Sequence, residues 1–303
     1  MALLTDRPAS VTRPAGVVRV TGPDRLQYLH TLLTQHLSDA AAGTVADFLY
    51  LDAKGNPLAS GRAVVRDADV LLVTPPDVAA GLAEALERYR FLLQVEAADD
   101  SGRWALASLR APAAMDVPGA PTEPMTAAAS GEGLLLRDRS GGVDLLGPPG
   151  WVADRLERLG LPTASEADWQ AWRIAAGEPA WASEIAPGRR TQELGLLPTH
   201  VHLRKGCYPG QESIAKIYNL GRPRRALAVV EFTGPVRAGD VMEAHGKRGE
   251  ITSAAPLDTV WVALALVPLA ADGTVRGDGT VVAGDVAGTV RSVVGAGRAI
   301  PGG

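Results

Sequence analysis

The hydrophobic and polar positions of this chain fall into two textures. Over roughly the first two thirds, short apolar runs alternate with longer stretches of helical period. Val17-Val18-Arg19-Val20 reads as a strand, and Pro23 and Asp24 then open a helix with Leu26, Leu29, Leu33 and Leu37 at three- and four-residue spacing. Val45 to Leu51 predicts a strand and Asp52-Ala53-Lys54-Gly55-Asn56-Pro57 a turn. Ala63–Val65 and Val70–Val73 predict two further strands. Asp77 then caps a helix whose apolar face is Val78, Leu82, Leu86 and Tyr89. Ala105 to Leu109 predicts a strand, whereas Ala111 to Glu132 has no steady period and reads as a surface excursion. Leu134–Leu136 and Val143–Leu146 form a hairpin around Ser140-Gly141-Gly142. A helix over Trp151–Leu159 stops at Gly160, and a capping box at Ser165 and Asp168 starts one that runs to Gly177.

The second texture begins near Gly221. Ala226–Phe232, Val260–Val267 and Val281–Val294 are strand-like, separated by Gly234-Pro235, Gly246, Asp272-Gly273 and Asp278-Gly279, with no helical pattern of useful length. The expected architecture is α+β: a body over 1–221 in two subdomains and a small antiparallel β-barrel over 222–303. The Asp/Gly repeats at 272–288 are ordinary hairpin chemistry rather than a calcium loop.

Composition changes this picture little. The 303 residues are 46% hydrophobic and 21% charged with net charge −4, a balance with no global pull toward nucleic acid or membrane. One cysteine forbids an intrachain disulfide and fits a reducing compartment. The N-terminal apolar run is too short for a signal peptide, and the longest run, Val260–Ala271, is too short for a membrane helix. The expectation is a cytoplasmic protein without membrane contact.

The chemistry concentrates in Leu203 to Arg225, LRKGCYPGQESIAKIYNLGRPRR. This stretch holds the single cysteine, Cys207, and six basic residues (Arg204, Lys205, Lys216, Arg222, Arg224, Arg225) against one acid, Glu212. A thiol on a basic loop rich in glycine and proline is a candidate reactive group, because nearby cations favour the thiolate. The opposed reading is a small buried hydrophobe. His200 and His202 lie close by on an expected strand edge, but a zinc site needs a fourth ligand and none is evident; no metal is expected. A cluster held by this chain alone would need more cysteines. The run Arg222-Pro223-Arg224-Arg225 is either a solvated junction or an anion site for carboxylates, with an RNA backbone as the weaker alternative.

Lys205-Gly206-Cys207-Tyr208-Pro209-Gly210-Gln211-Glu212 resembles the K-G-C-[FY]-x-G-Q-E signature of the YgfZ family of folate-binding proteins, relatives of the glycine-cleavage aminomethyltransferase whose mitochondrial counterparts act in iron–sulfur protein maturation. Asp52-Ala53-Lys54-Gly55 is similar to the family's D-x-K-G segment, and the stretch from Arg173 to Pro179 to its R-x-x-x-G-x-P segment. The resemblance implies an aminomethyltransferase-like body, a bound tetrahydrofolate, polyglutamylated or not, and a role in assembling or repairing iron–sulfur enzymes, those that modify tRNA included. It also implies a working pair of Cys207 and Lys205 within the loop Gly206, Tyr208, Gly210, Gln211 and Glu212. Folate contacts are expected at Asp52, Lys54, Gly55, Trp172, Arg173, Arg224 and Arg225. The partners implied are folate and iron–sulfur client proteins. No stably bound metal or cluster is implied. The alternative function is a folate-dependent one-carbon transferase. The hairpin Gly142-Val143-Asp144-Leu145-Leu146 lacks the Y-T-G-E-type segment of the aminomethyltransferases, so glycine-cleavage activity is not expected.

Overall fold

The structure is a computed structural model that describes residues 3–220 and 223–297. The described chain divides into two compact units: one of 3–50 and 59–165, the other of 51–58 and 166 onward.

The first unit contains α1 (Leu3–Asp6), β1 (Ala9–Arg13), β2 (Gly16–Thr21), α2 (Arg25–Leu32), β3 (Val45–Leu51), β4 (Pro57–Val65), β5 (Asp69–Thr74), α3 (Pro76–Arg88), β6 (Glu96–Asp99), β7 (Ala105–Arg110), β8 (Thr126–Ser130), β9 (Gly133–Arg137), β10 (Val143–Gly147) and α4 (Pro149–Leu159). The strands form two five-stranded sheets, in the orders β3-β4-β5-β2-β6 and β1-β7-β10-β9-β8. Successive residues of a strand point to opposite faces. Val17, Val45, Val64 and Leu71 of the first sheet therefore pack against Leu106, Leu134, Leu136 and Leu146 of the second. The in-between positions Ala107, Leu109, Leu135 and Leu145 form a second cluster with Val152 of α4. Burial on both faces is why β9 and β10 read as unbroken apolar runs.

Several sequence expectations change here. The 111–132 excursion contains β8, whose Thr-Ala-Ala-Ala-Ser sequence is too small and weakly apolar to show a period but pairs along β9 from Thr126↔Arg137 to Ser130↔Gly133. α3 is entered through Pro75, and Asp77 lies within its first turn rather than at its cap. α2 ends at Leu32, and His30 Nδ1 accepts from the Leu37 and Ser38 amides beyond it, so Leu37 is core without being helical.

Asp144 of β10 is fully committed. Arg110, wholly buried, pairs with it at 2.8 Å and with Asp138 at 2.7 Å, and Arg62 reaches Asp144 at 2.6 Å. Burial pushes the Asp144 carboxyl up, but Arg110, Arg62 and Arg13 outweigh it and hold it well below the usual carboxylate range. The hairpin whose sequence departs from the aminomethyltransferases is thus a structural ion cluster.

The second unit contains α5 (Glu166–Ala175), α6 (Leu197–His200), α7 (Gln211–Leu220), β11 (Arg225–Phe232), β12 (Val241–Ala244), β13 (Lys247–Leu257), β14 (Val260–Pro268), β15 (Thr280–Ala283) and β16 (Val286–Val293). Its strands close into an antiparallel barrel in the order β11-β14-β13-β12-β15-β16, filled by Phe232, Met242, Ile251, Val267 and Val281 among others. The expected strand over 281–294 is in fact the β15–β16 hairpin, turning at Gly284 with φ +58°. β12 and β13 went unread because charged residues and Pro256 mask their alternation. α5 packs on β13 and β14. No helix among the described residues is long and apolar enough to cross a membrane.

Candidate functional site: the Cys207 loop

From Gly177 to Gly210 the second unit is mostly turns, interrupted only by the single helical turn of α6. His200 ends α6 and His202 lies in the loop beyond it, so the expected His-x-His strand does not form. Among the described residues no group of three or more His, Cys, Asp or Glu is placed to hold a metal.

The motif residues alternate in exposure. Lys205 is buried, Gly206 and Cys207 are exposed, and Tyr208 is buried again. The loop is pinned by its two cationic and aromatic flanks and offers the thiol to solvent between them. Lys205 Nζ lies 4.8 Å from the centre of the Tyr208 ring, close enough for a cation–π contact that offsets part of its lost hydration. Burial pushes the Lys205 ammonium down to about 8, against the opposite pull of the Cys207 thiolate. Burial also pushes the Tyr208 phenol up to about 12, and its hydroxyl has no hydrogen-bond partner among the described residues. The Thr191 hydroxyl, on a neighbouring turn of the sequence, is buried and unpartnered in the same way.

Two glycines shape the loop for different reasons. Gly206 has φ +103° with open space where a side chain would stand, so its role is conformational. Gly210 has φ +79°, and a Cβ there would lie 2.7 Å from the Asp52 carbonyl oxygen and 2.8 Å from Gly55 Cα. Gly55 is reciprocal, since its own Cβ would lie 2.9 Å from Ser213 Cβ. The two glycine turns of the resemblance, far apart in sequence, are thus pressed backbone to backbone. Immediately after Gly210 the chain enters α7, so Gln211 and Glu212 open a helix rather than continuing a loop. The helix went unread because the Gly/Pro and basic texture on both sides dominates the pattern. Glu212 is exposed and joins no ion pair among the described residues. Gln192 donates to the Ser213 and Ile214 carbonyls, both at 3.4 Å, a tie between α7 and the preceding turns that nothing in the sequence announces.

The residues read as folate contacts fall into two groups. The Asp52 carboxylate is used within its own turn, accepting from the Lys54 amide, the Asn56 amide and Asn56 Nδ2, each at 2.8 Å. Burial raises that carboxyl, and these hydrogen bonds together with the Lys54 charge outweigh it and leave it below its ordinary range. Trp172 is buried and stacked on Trp169, ring centres 5.0 Å apart. Arg173 is buried: it pairs with Glu184 at 3.2 Å and donates to Ser253 Oγ of β13 at 2.8 Å and to Gln170 at 2.6 Å. Arg225 pairs with Glu193 at 2.9 Å. Lys54 and Arg224, in contrast, are exposed, and Gly55 touches the motif itself. Arg222 lies outside the described residues.

Lys205 makes stability depend on pH with a definite sign. The unfolded chain keeps an ordinary lysine near 10.5, so between about 8 and that value the unfolded state holds more protons. Stability therefore rises with pH across this window, and below it the full cost of burying the ammonium is present. Urea unfolding of the wild type and Lys205→Met from pH 7.5 to 10.5 checks this: the variant should be the more stable at low pH by about 2 kcal/mol, converging as pH rises. A constant difference would place the ammonium in water.

No family model matches the chain. Curated relatives do. A chloroplastic protein of Arabidopsis thaliana that carries a provisional transferase name is 27% identical over 263 residues, which are 78% of this chain and 59% of that relative. This chain thus spans about three fifths of that protein's length. The tRNA-modifying protein YgfZ of Colwellia psychrerythraea is 24% identical over 238 residues, 75% of this chain and 73% of the relative. A mitochondrial homologue of the iron–sulfur cluster assembly factor IBA57 from Cryptococcus neoformans is 24% identical over 280 residues, 81% and 73% of the respective chains. Among solved structures, the glycine cleavage system aminomethyltransferase T of Bartonella henselae superposes with a TM-score of 0.78 at 18% identity, covering 95% of this chain and 86% of that one, which establishes the fold.

Proposed function

We propose that this chain, which has the aminomethyltransferase fold and is similar to a YgfZ protein and an IBA57 homologue, binds a tetrahydrofolate and supports iron–sulfur enzymes, including those that modify tRNA, through Cys207. The observation that carries this reading is the placement of the thiol. Cys207 is exposed on a loop whose flanks, Lys205 and Tyr208, are buried and whose end is clamped at Gly210 against the Asp52–Gly55 turn. A cysteine held in this way is reachable by a macromolecular client, and its thiolate is a soft ligand for iron. One thiolate supplies one of the four ligands that a cluster takes, so the others come from the client.

The fit to a folate is uneven. Lys54 and Arg224 suit the carboxylates of a polyglutamate tail. Trp172, Arg173 and Arg225 have their groups committed inside the unit and present little to a pterin. The unpartnered hydroxyls of Tyr208 and Thr191 are buried polar atoms that a bound group would satisfy. A folate would supply a carrier for a one-carbon unit; the chain's own residues in this reading bind its tail and leave the thiol exposed.

Titration calorimetry at low salt tests the reading. Tetrahydrofolate should bind, the polyglutamylated form more tightly, with the difference weakened by salt and reduced about tenfold in Lys54→Gln/Arg224→Gln. Absence of binding at low salt would remove folate from the proposal. Equal affinity for both forms would remove only the two cations.

A further inference from the structure

From Arg190 to Arg225 the second unit carries seven basic residues against two acids, in a chain whose net charge is −4. Lys205 is buried, Arg225 is neutralised by Glu193, and Arg224 is assigned above to a folate tail. Arg190, Arg204 and Lys216 are exposed and take no part in those contacts. Arg190 and Lys216 join no ion pair among the described residues, although Arg189, next in sequence to Arg190, is neutralised by Glu250.

The fold gathers these three cations. Arg204 directly precedes the buried Lys205 that anchors the thiol loop. The Arg190 carbonyl accepts from the Glu193 amide at 2.9 Å, and from that same turn Gln192 donates to the Ser213 and Ile214 carbonyls of α7. α7 starts directly behind the Cys207 loop and carries Lys216 on the face of Glu212 and Asn219, all three exposed. Cations from three segments, one of them distant in sequence, thus surround the start of α7, where the exposed thiol stands.

Charge complementarity makes the occupant anionic, and its distribution selects the kind. Glu212 lies one helical turn from Lys216 on the same face. A nucleic-acid backbone is a regular row of negative charges that gains affinity from many cations at once, and three cations interrupted by a carboxylate serve it poorly. A folded protein places its carboxylates singly and can set a donor opposite Glu212. The thiol favours the same occupant, because a thiolate meets iron or sulfur that a protein holds. We propose that Arg190, Arg204 and Lys216 form a docking rim that steers an acidic protein face onto Cys207. The rim rests on Cys207 being the working group, as proposed above, and adds the chemistry of the partner. Exposed charges of this kind act on the rate of encounter and are screened by salt.

Two peptides read the rim on the full chain. Each carries one cysteine activated as its thionitrobenzoate disulfide, flanked in one peptide by glutamates and in the other by lysines. Cys207, the only cysteine, attacks the peptide sulfur as its thiolate; the S–S bond breaks, a mixed disulfide forms, and thionitrobenzoate leaves and is read by its absorbance. At low salt the acidic peptide should react about tenfold faster than the basic one, with the ratio falling toward one at high salt. Arg190→Glu/Lys216→Glu should slow the acidic peptide about tenfold. Its rate with neutral hydroxyethyl disulfide, its melting temperature and its folate affinity should stay as in the wild type. Equal rates with the two peptides overturn the proposal. So does a double variant that loses folate affinity, which would give these cations to the folate tail. An oligouridylate that binds more tightly than the glutamate peptide with its cysteine blocked also overturns it, making RNA the partner. In a bacterial strain deleted for its own relative, the charge-reversed variant should support iron–sulfur enzymes less well than the wild type. Full complementation by Cys207→Ser overturns the function of the thiol and the rim with it, whereas full complementation by the charge-reversed variant alone overturns only the rim.

Discussion

Cys207→Ser is expected to fold like the wild type and to lose all ability to support iron–sulfur enzymes. The side chain is exposed and contributes no core packing, so the cost in stability should stay within about 0.5 kcal/mol. The functional loss should be complete, because serine offers an alkoxide precursor where the proposed chemistry needs a soft thiolate. The measurement is the activity of iron–sulfur-dependent tRNA-modifying enzymes in a bacterial strain deleted for its own relative and supplied with each variant. Cys207→Ala should behave as Cys207→Ser does, which separates thiol chemistry from hydrogen bonding. Lys205→Gln should fall between wild type and null, with slower alkylation of Cys207 at neutral pH, since it removes the charge coupled to the thiolate. Full complementation by both cysteine variants would make the motif a structural loop, with Gly210 and Tyr208 its important members. Loss of folding in both would return Cys207 to the role of a core residue.

Arg173→Met is expected to destabilise the protein by about 3–5 kcal/mol, enough to lower the melting temperature by about 10 °C. Arg173 and Glu184 are both buried, and Ser253 Oγ sits between them, accepting from Arg173 Nη2 and donating to Glu184 Oε1 at 2.6 Å. The Ala180 amide donates to Glu184 as well, at 2.9 Å. Removing the guanidinium leaves a carboxylate that nothing apolar can solvate. Arg173→Met/Glu184→Gln should recover at least half of the loss, because an amide can still accept from Ala180 and needs no counter-charge. Denaturant unfolding of the two variants, with folate calorimetry on the folded fraction, decides between a lock and a ligand contact. A single variant that keeps its stability and loses folate affinity would make Arg173 part of a binding surface.

The sequence by itself determined the parts of this protein whose signal is local. Turn chemistry at Asp52–Gly55, Ser140–Gly142 and Gly160 is written in residues whose backbone preferences act within a few positions, and each turn forms where the residues place it. The paired apolar runs of β9 and β10 and the strand texture after residue 224 are equally local. The eight residues from Lys205 to Glu212 carried the resemblance to the YgfZ family without any structure, because the spacing of a lysine, a thiol, two glycines and an amide–carboxylate pair is rarely met by chance. What only the tertiary structure decided is what each group is spent on. Arg173 and Arg225 read as folate contacts, the latter in a basic stretch, yet Glu184 and Glu193 neutralise them, partners that no period or spacing connects to them. Asp144 looked like an empty place where a ligand-gripping residue was missing, and three arginines from three separate strands, Arg13, Arg62 and Arg110, converge on it. β8 shows no period and the alternation of β13 is masked by charges and Pro256, so both become legible only where a neighbouring strand supplies hydrogen bonds along their length. The same reason accounts for Gly55 and Gly210. Each could be explained singly as a turn residue, but the contact between them depends on two turns about 155 residues apart being folded onto one another, and only the folded chain holds that information.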